Sequence, residues 1–361
     1  MKSETKFISY KKYFFLPVLL ILCIMCSSEV QSSKVPDPYY ISGTKKEKEN
    51  LKILFSLLSG ETNTNENNFA VLREIANIYK SQDDYPRLIN FLSDWVSTHP
   101  DDPYNTYYLF MTAFAYSQQG SESVASLYFN MIVKNYPDLI VKDKSIHLLC
   151  LKKLLDTETD PQQKIWYYEE LLSRFRDEID LGTTLFLLGQ TYEDVGDWKR
   201  AIQSYNDFLP FYGVVVSGFP DAYNYAKQMV DLNSSARNWT FESLDSIVRT
   251  IKRTIDSGDT YALWQYHARV NFFARAWVSQ AGSDDTGVAD FNISAFGTDK
   301  RVNYANELSR DSNANEVYLR TWGWSHFTPV WYFYFRKIYF PPDPEIHGRW
   351  EWAGIYYGER F

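Results

Sequence analysis

The stretch GQTYEDVGDWKRAIQSYNDFL, residues 189–209, sets small and aromatic residues at fixed distances. Gly189, Tyr192, Gly196, Ala201 and Tyr205 follow one another at intervals of three, four, five and four. Residues three and four apart share a helix face. Leu185, Leu188 and Tyr192 therefore make one stripe, and Ala201, Tyr205 and Phe208 another. Gly196-Asp197 breaks the chain between them. The spacing predicts two short amphipathic helices joined by a tight turn. Gly189 and Ala201 lack bulk, which lets the helices approach, and the rings of Tyr192 and Tyr205 fill the space above and below.

The pattern recurs upstream. Leu109, Ala113, Tyr116, Gly120, Ala125, Phe129, Ile132 and Pro137 repeat it almost whole, and Leu72, Ala76, Tyr79, Leu92, Trp95 and Pro100 form an earlier unit. Ala76 to Ala113 is 37 residues, as is Pro100 to Pro137, and Ala113 to Gly189 is 76, close to twice that. One degenerate unit belongs in the gap, and IHLLCLKKLL followed by KIWYYEELLSRF supplies two apolar helices for it. This resembles the tetratricopeptide repeat (TPR), whose pattern places Leu-Gly, Tyr, Ala, Phe and a closing Pro at these spacings. The resemblance covers roughly residues 45–232, with KENLKILFSLLSG and FPDAYNYAKQMVDL as caps. The period of 37 exceeds the family's, the third unit lacks the small-residue pair, and the fourth has Gly213 where Pro is usual.

Such units expose apolar surface until a neighbour stacks on them. The resemblance implies a solenoid whose concave face carries Arg73, Asn77 and Lys80, then Tyr107, Phe110, Phe114 and Ser117, then Phe186, Gln190 and Glu193. That face would hold a peptide or partner helix. The alternative is that Phe110 and Phe114 pack beneath a neighbouring helix.

Composition narrows the function classes. Aromatics make up 17% of 361 residues, which calls for large packed cores and allows two or three domains. The net charge is −8, and without the first 26 residues 33 basic face 44 acidic residues. That balance, with no basic helix face, argues against nucleic-acid binding.

The N terminus reads as an address. Lys11 and Lys12 precede the apolar run YFFLPVLLILCIM, residues 13–25, too short to span a bilayer as a helix. Cys26 and a Ser-rich tract follow. The order resembles a bacterial lipoprotein signal, with residues 1–26 as signal peptide, Cys26 as the lipidated residue and 27–44 as a flexible tether. Met25 and Cys23 depart from the family's small residue and Leu before the Cys, so cleavage without lipid and an uncleaved anchor stay open. Cys150 lies in HLLCLKKLL and reads as a small buried hydrophobe.

Residues 236–361 differ in texture. FESLDSIVRTIKRTIDSGD is an amphipathic helix ended by Ser257-Gly258-Asp259, and YALWQYHARVNFFARAWVSQ is expected as a second. Residues 282–315 read as loop. Sixteen of the last 47 residues are aromatic, twice the chain average of 17%. In extended form NEVYLRTWGWSHF puts Tyr318, Arg320, Trp322, Trp324 and His326 on one face. PVWYFYFRKIYF suits a central strand covered on both sides. RWEWAGIYYGERF alternates Trp350, Trp352 and Tyr356 against Glu351, Ala353, Ile355 and Tyr357. Together these give a mainly α chain: a TPR-like helical-hairpin solenoid, then a smaller α+β domain with an antiparallel, aromatic-rich sheet. The element order of that domain is similar to cone-shaped folds related to nuclear transport factor 2, which often enclose a pocket.

The chain has no P-loop, dinucleotide Gly fingerprint, Gly-x-Ser-x-Gly elbow or Cys-x-x-Cys, and no His-x-x-x-His pair. No cofactor or metal is implied. Asp343, Glu345 and His347 in PPDPEIHG read as a solvated turn, and the Trp cluster as core before sugar platform. The leading expectation is a non-enzymatic, lipid-anchored scaffold binding a protein or peptide at the bacterial cell envelope. The alternative is a small-ligand or glycan site in the C-terminal domain, with Trp324, His326, Trp352 and Tyr356 at its pocket.

Overall fold

The computed structural model describes residues 37–59, 64–277, 291, 293, 302–325 and 328–359. The signal-like segment with Cys26 lies outside the described residues, as does His326. The chain divides into two compact units between Lys153 and Leu154.

The N-terminal unit holds α1 (Lys45–Leu58), α2 (Asn65–Ser81), α3 (Tyr85–Thr98), α4 (Asn105–Gln118), α5 (Glu122–Asn135), the strands β1 (Ile140–Val141) and β2 (Lys144–Ser145), and most of α6 (Ile146–Thr157). In the C-terminal unit follow α7 (Pro161–Arg174), α8 (Leu181–Asp194), α9 (Trp198–Phe208), α10 (Ala222–Ser234), α11 (Leu244–Ser257) and α12 (Thr260–Trp264). Consecutive helices pack in pairs, α4 with α5 and α8 with α9 most extensively.

The turn of the hairpin is the same object in three units. Gly120 and Gly196 both have φ +75° and end α4 and α8. In each, the next residue's amide reaches back five positions: Ser121 N–H to Tyr116 O at 2.9 Å, Asp197 N–H to Tyr192 O at 2.8 Å. That closure satisfies carbonyls the helix end leaves open, and glycine takes the left-handed conformation at no steric cost. In the first hairpin Asp83 adopts the same conformation at φ 53°, and Asp84 N–H reaches Tyr79 O at 2.9 Å. Asp83, Gly120 and Gly196 are thus 37 and 76 positions apart, the period of the side-chain pattern.

Small residues sit at the helix contacts. Ala76, Ala113, Ala125 and Ala201 are fully buried. At Gly189 a methyl group would lie 2.5 Å from the Tyr205 ring. Cys150 is fully buried and stands 37 positions after Ala113, so it fills the small position the third unit was expected to lack. Burial pushes its thiol pKa up, which leaves it an inert, free packing residue.

Between Pro137 and α6 the chain forms β1–β2, a hairpin that the spacing does not predict. Lys142 and Asp143, at φ 52° and 59°, form its two-residue turn. Asp138 accepts from Ser145 Oγ at 2.6 Å and from His147 N–H at 3.0 Å, fixing the hairpin to the start of α6.

A mixed sheet in the order β3-β7-β6-β5-β4 closes the chain, with β3 (Phe273–Ala276), β4 (Asn303–Tyr304), β5 (Glu316–Trp322), β6 (Val330–Lys337) and β7 (Trp350–Tyr357). All pairs are antiparallel except β3–β7. β6 is central and buried on both sides over most of its length, as its unbroken aromatic run predicts. The expected helix over residues 261–280 is overturned: it stops at Trp264, Asn271 takes φ 55°, and Phe273–Ala276 pair with β7 instead. Edge pairing on a buried sheet outweighs local helix propensity there.

α11 covers one sheet face. Ile247, Ile251 and Ile255 pack with Val317, Leu319, Trp331, Phe333, Trp350 and Trp352. A second core runs from α7 through α10 into the β6–β7 connection, joining Tyr205, Phe208 and Met229 to Trp239, Ile338, Phe340 and Ile346. Arg237 fastens this junction, donating from Nε to Asp343 at 2.9 Å and from a terminal nitrogen to Leu232 O at 2.9 Å.

Candidate functional site

Four of the groove residues expected from the repeat pattern line one cavity of about 290 Å³ in the N-terminal unit. Arg73, Asn77 and Lys80 come from α2, at helical spacing, and Tyr107 from α4. Met111 extends the α4 side, and Val141 and Lys142 reach in from the β1–β2 hairpin. Arg73, Lys80 and Lys142 make no ion pair among the described residues, and Glu74 is the one acidic residue in the lining. The cations are braced by rings instead: the Arg73 guanidinium lies 5.6 Å from the Phe69 centroid and Lys80 Nζ 4.6 Å from that of Phe114. Cation–π contact holds the groups in place without neutralising them. The cavity therefore presents donors and net positive charge on a chain whose net charge is −8.

Phe114 is half-buried beneath Lys80, whereas Phe110 packs against Phe129 of α5 at 5.9 Å. Phe110 thus packs on the following helix, and Phe114 supports the Lys80 ammonium. The α4 entry is set by buried Asn105, whose Nδ2 donates to His99 O at 2.8 Å and Pro100 O at 3.1 Å. Thr106 Oγ1 donates to Pro137 O at 2.8 Å. The two closing prolines of the repeat are thereby tied to one helix start.

In the C-terminal unit, Phe186 and Gln190 line a separate apolar groove of about 270 Å³ with Phe219, Pro220 and Tyr225. Phe186 is 1% exposed and forms its floor among Tyr205, Phe208 and Phe219. Glu193 lies behind the wall. It accepts from Tyr205 Oη at 2.7 Å and from Tyr225 Oη at 2.8 and 2.9 Å, while Gln190 Nε2 donates to Tyr205 Oη at 2.6 Å. Burial raises the Glu193 pKa above the usual carboxylate range, against the two phenol hydrogen bonds that lower it. Glu193 is thus a structural acceptor that positions two tyrosines.

The alternative pocket residues do not come together. Trp324 stacks on Trp331 at 5.2 Å and 7° and donates from Nε1 to Thr321 Oγ1 at 2.7 Å. Trp352 is fully buried, 4.4 Å from the Phe333 centroid. Both fill the core beneath α11. Tyr356 lies on the other face, stacked on Trp277 at 4.1 Å and 8°. Two departures from strict alternation separate them. Trp324 lies past the end of β5, so it leaves the face of Tyr318, Arg320 and Trp322. In β7 a bulge opposite Tyr334/Phe335 shifts the register, so Ile355 and Tyr357 rejoin the Trp352 side.

PPDPEIHG is a turn. Asp343 accepts from Arg237 and from Glu345 N–H, and His347 Nδ1 accepts from Phe340 N–H at 3.1 Å. Among the described residues no group of three or more His, Cys, Asp or Glu is placed to hold a metal, and no helix is long and apolar enough to cross a membrane. Lys142 is unmarked in the sequence, because a two-residue turn without glycine carries no strong signal. Equally unmarked is the partner of Glu351, which is Arg336 directly across from it on β6.

Residues 184–209, most of α8 and all of α9, match the tetratricopeptide repeat family. No curated protein matches the chain.

Proposed function

We propose that this protein is an interaction scaffold and that the cavity between α2 and α4 is its working surface, taking an acidic peptide segment of a partner protein. One observation carries the reading: Arg73, Asn77, Lys80 and Tyr107, chosen by repeat spacing, line a single cavity with uncompensated positive charge. Tandem helical hairpins supply a rigid support and leave the first-helix side chains to do the contacting. An acidic segment would satisfy the Arg73 fork and the two ammonium groups.

The test is fluorescence anisotropy of a labelled Glu-rich peptide with the full chain. Arg73→Glu with Lys80→Glu should weaken binding at least about tenfold, ~1.4 kcal/mol. Added salt should weaken it too. Binding that survives both changes would place the working surface elsewhere.

We further propose that the scaffold is held at the bacterial envelope by a lipid on Cys26. Support comes from Lys11, Lys12 and the apolar run before Cys26. Metabolic labelling with an alkynyl fatty acid should mark the chain, and Cys26→Ser should remove the label and release the protein from membranes. Unlabelled protein that stays with membranes would contradict lipidation.

A further inference from the structure

A cavity of about 180 Å³ lies between α10 and the end of the sheet where β6 leaves for β7, lined by other residues than the repeat grooves. At its base is Glu351, whose side chain is 3% exposed. Its Oε1 accepts from Arg336 Nε at 2.6 Å. Its Oε2 has no hydrogen-bond partner among the described residues, and neither have the two terminal nitrogens of Arg336. Gln228 joins the polar lining, its side chain likewise without hydrogen bonds, and Leu232 and Val270 supply apolar walls, while the Lys337 ammonium lies 5.6 Å from the Trp350 ring centroid.

A lone structural ion pair would use the guanidinium fork on the carboxylate face to face. Here only Nε bonds the carboxylate, which leaves the edge formed by the two terminal nitrogens unbonded. The buried acid orients the arginine and leaves its bidentate edge for something else. Arg336 offers one cationic edge beside the Glu351 carboxylate, so a single carboxylate paired with a donor group is matched. A dianion such as phosphate would meet the Glu351 carboxylate and be repelled. Glu351 Oε2 in turn remains available to accept a hydrogen from a ligand.

We propose that this cavity binds a small monocarboxylate carrying a hydrogen-bond donor on the adjacent carbon, an α-amino or α-hydroxy acid. Arg336 takes the carboxylate, and Glu351 Oε2 accepts from the amine or hydroxyl. The volume suits one compound of this class and excludes a polymer. Burial raises the Glu351 pKa and the Arg336 charge works against that, so a ligand amine beside it also favours the carboxylate form. The site is independent of the peptide groove.

Isothermal titration of the full chain with four probes tests the assignment. L-alanine or L-lactate should bind at millimolar concentration. Propionate, which lacks the donor, and L-alaninamide, which lacks the carboxylate, should bind at least tenfold more weakly. Arg336→Lys keeps the charge and loses the fork, and should cost at least tenfold with the circular dichroism spectrum unchanged. Binding by alanine alone or lactate alone would identify the donor. Silence from both, or equal heats from propionate, overturns the proposal without recourse to any variant.

Discussion

Gly189→Ala is the sharpest probe of how the hairpins are built. A methyl group there would sit 2.5 Å from Tyr205 Cε1 and 2.8 Å from Cδ1. The ring cannot retreat freely, because Tyr205 is fully buried and its hydroxyl is held by Glu193 at 2.7 Å and Gln190 at 2.6 Å. Overpacking of this kind costs about 2 kcal/mol. Drawing the phenol off a charged acceptor costs about 2 kcal/mol more. Alanine returns about 1 kcal/mol of helix propensity. The net loss is about 3 kcal/mol, which for a unit of this size lowers the melting temperature by roughly 6–12 °C. Thermal unfolding followed by far-ultraviolet circular dichroism reads it directly. In a Tyr205→Leu background the same substitution should be nearly neutral, because the obstructing ring is gone. A Gly189→Ala protein that melts at or above wild type would show that the helix contact is not set by this glycine and ring.

Gly196→Ala should lose about 1–2 kcal/mol through backbone conformation alone, since φ is +75° and no atom lies within 4 Å of the added methyl; urea titration gives the value, and a neutral result would contradict the left-handed turn. Trp352→Ala removes a fully buried ring stacked on Phe333 and should cost about 3–5 kcal/mol, whatever ligand is present. For Glu193 the folded pKa is raised, so its contribution is complete below the unfolded value of about 4.3 and is lost as pH climbs through the folded one. Wild type should therefore gain stability relative to Glu193→Gln as pH falls from neutral towards that value; a difference that shrinks on acidification would reverse the sign assigned to burial.

Much of the helical part was legible because its packing is local and periodic. Gly189 opposite Tyr205, and Gly120 and Gly196 in their turns, each impose a residue type for a steric reason that spacing exposes. Asp83 shows the limit: it makes the same turn without glycine, because a short polar side chain tolerates the left-handed region. Cys150 reads as buried but not as the small residue of its unit, since its helix lacks the Gly or Ala that marks the others. In the last third, strand texture was plain from the aromatic density and the central place of β6 from its unbroken run. What alternation could not show was where it stops. A one-residue bulge in β7 and the end of β5 decide which face Trp324, Trp352 and Tyr356 occupy, and neither leaves a mark in composition. Phe273–Ala276 read as helix because its strand character comes from its partner β7, far along the chain. The Arg336–Glu351 pair depends on the same long-range register. The groove residues Arg73, Asn77, Lys80 and Tyr107 were reachable because the repeat itself fixes which positions face together.

The most direct test of the scaffold reading places a photo-crosslinking amino acid at one of two positions in cells and asks which captures a partner. Asn77 lines the cavity between α2 and α4, and Leu127 is 69% exposed on α5, outside that lining. A discrete crosslinked protein is expected from Asn77, lost when Arg73 and Lys80 are reversed to Glu, and none from Leu127. Capture from Leu127 with silence at Asn77 would contradict it.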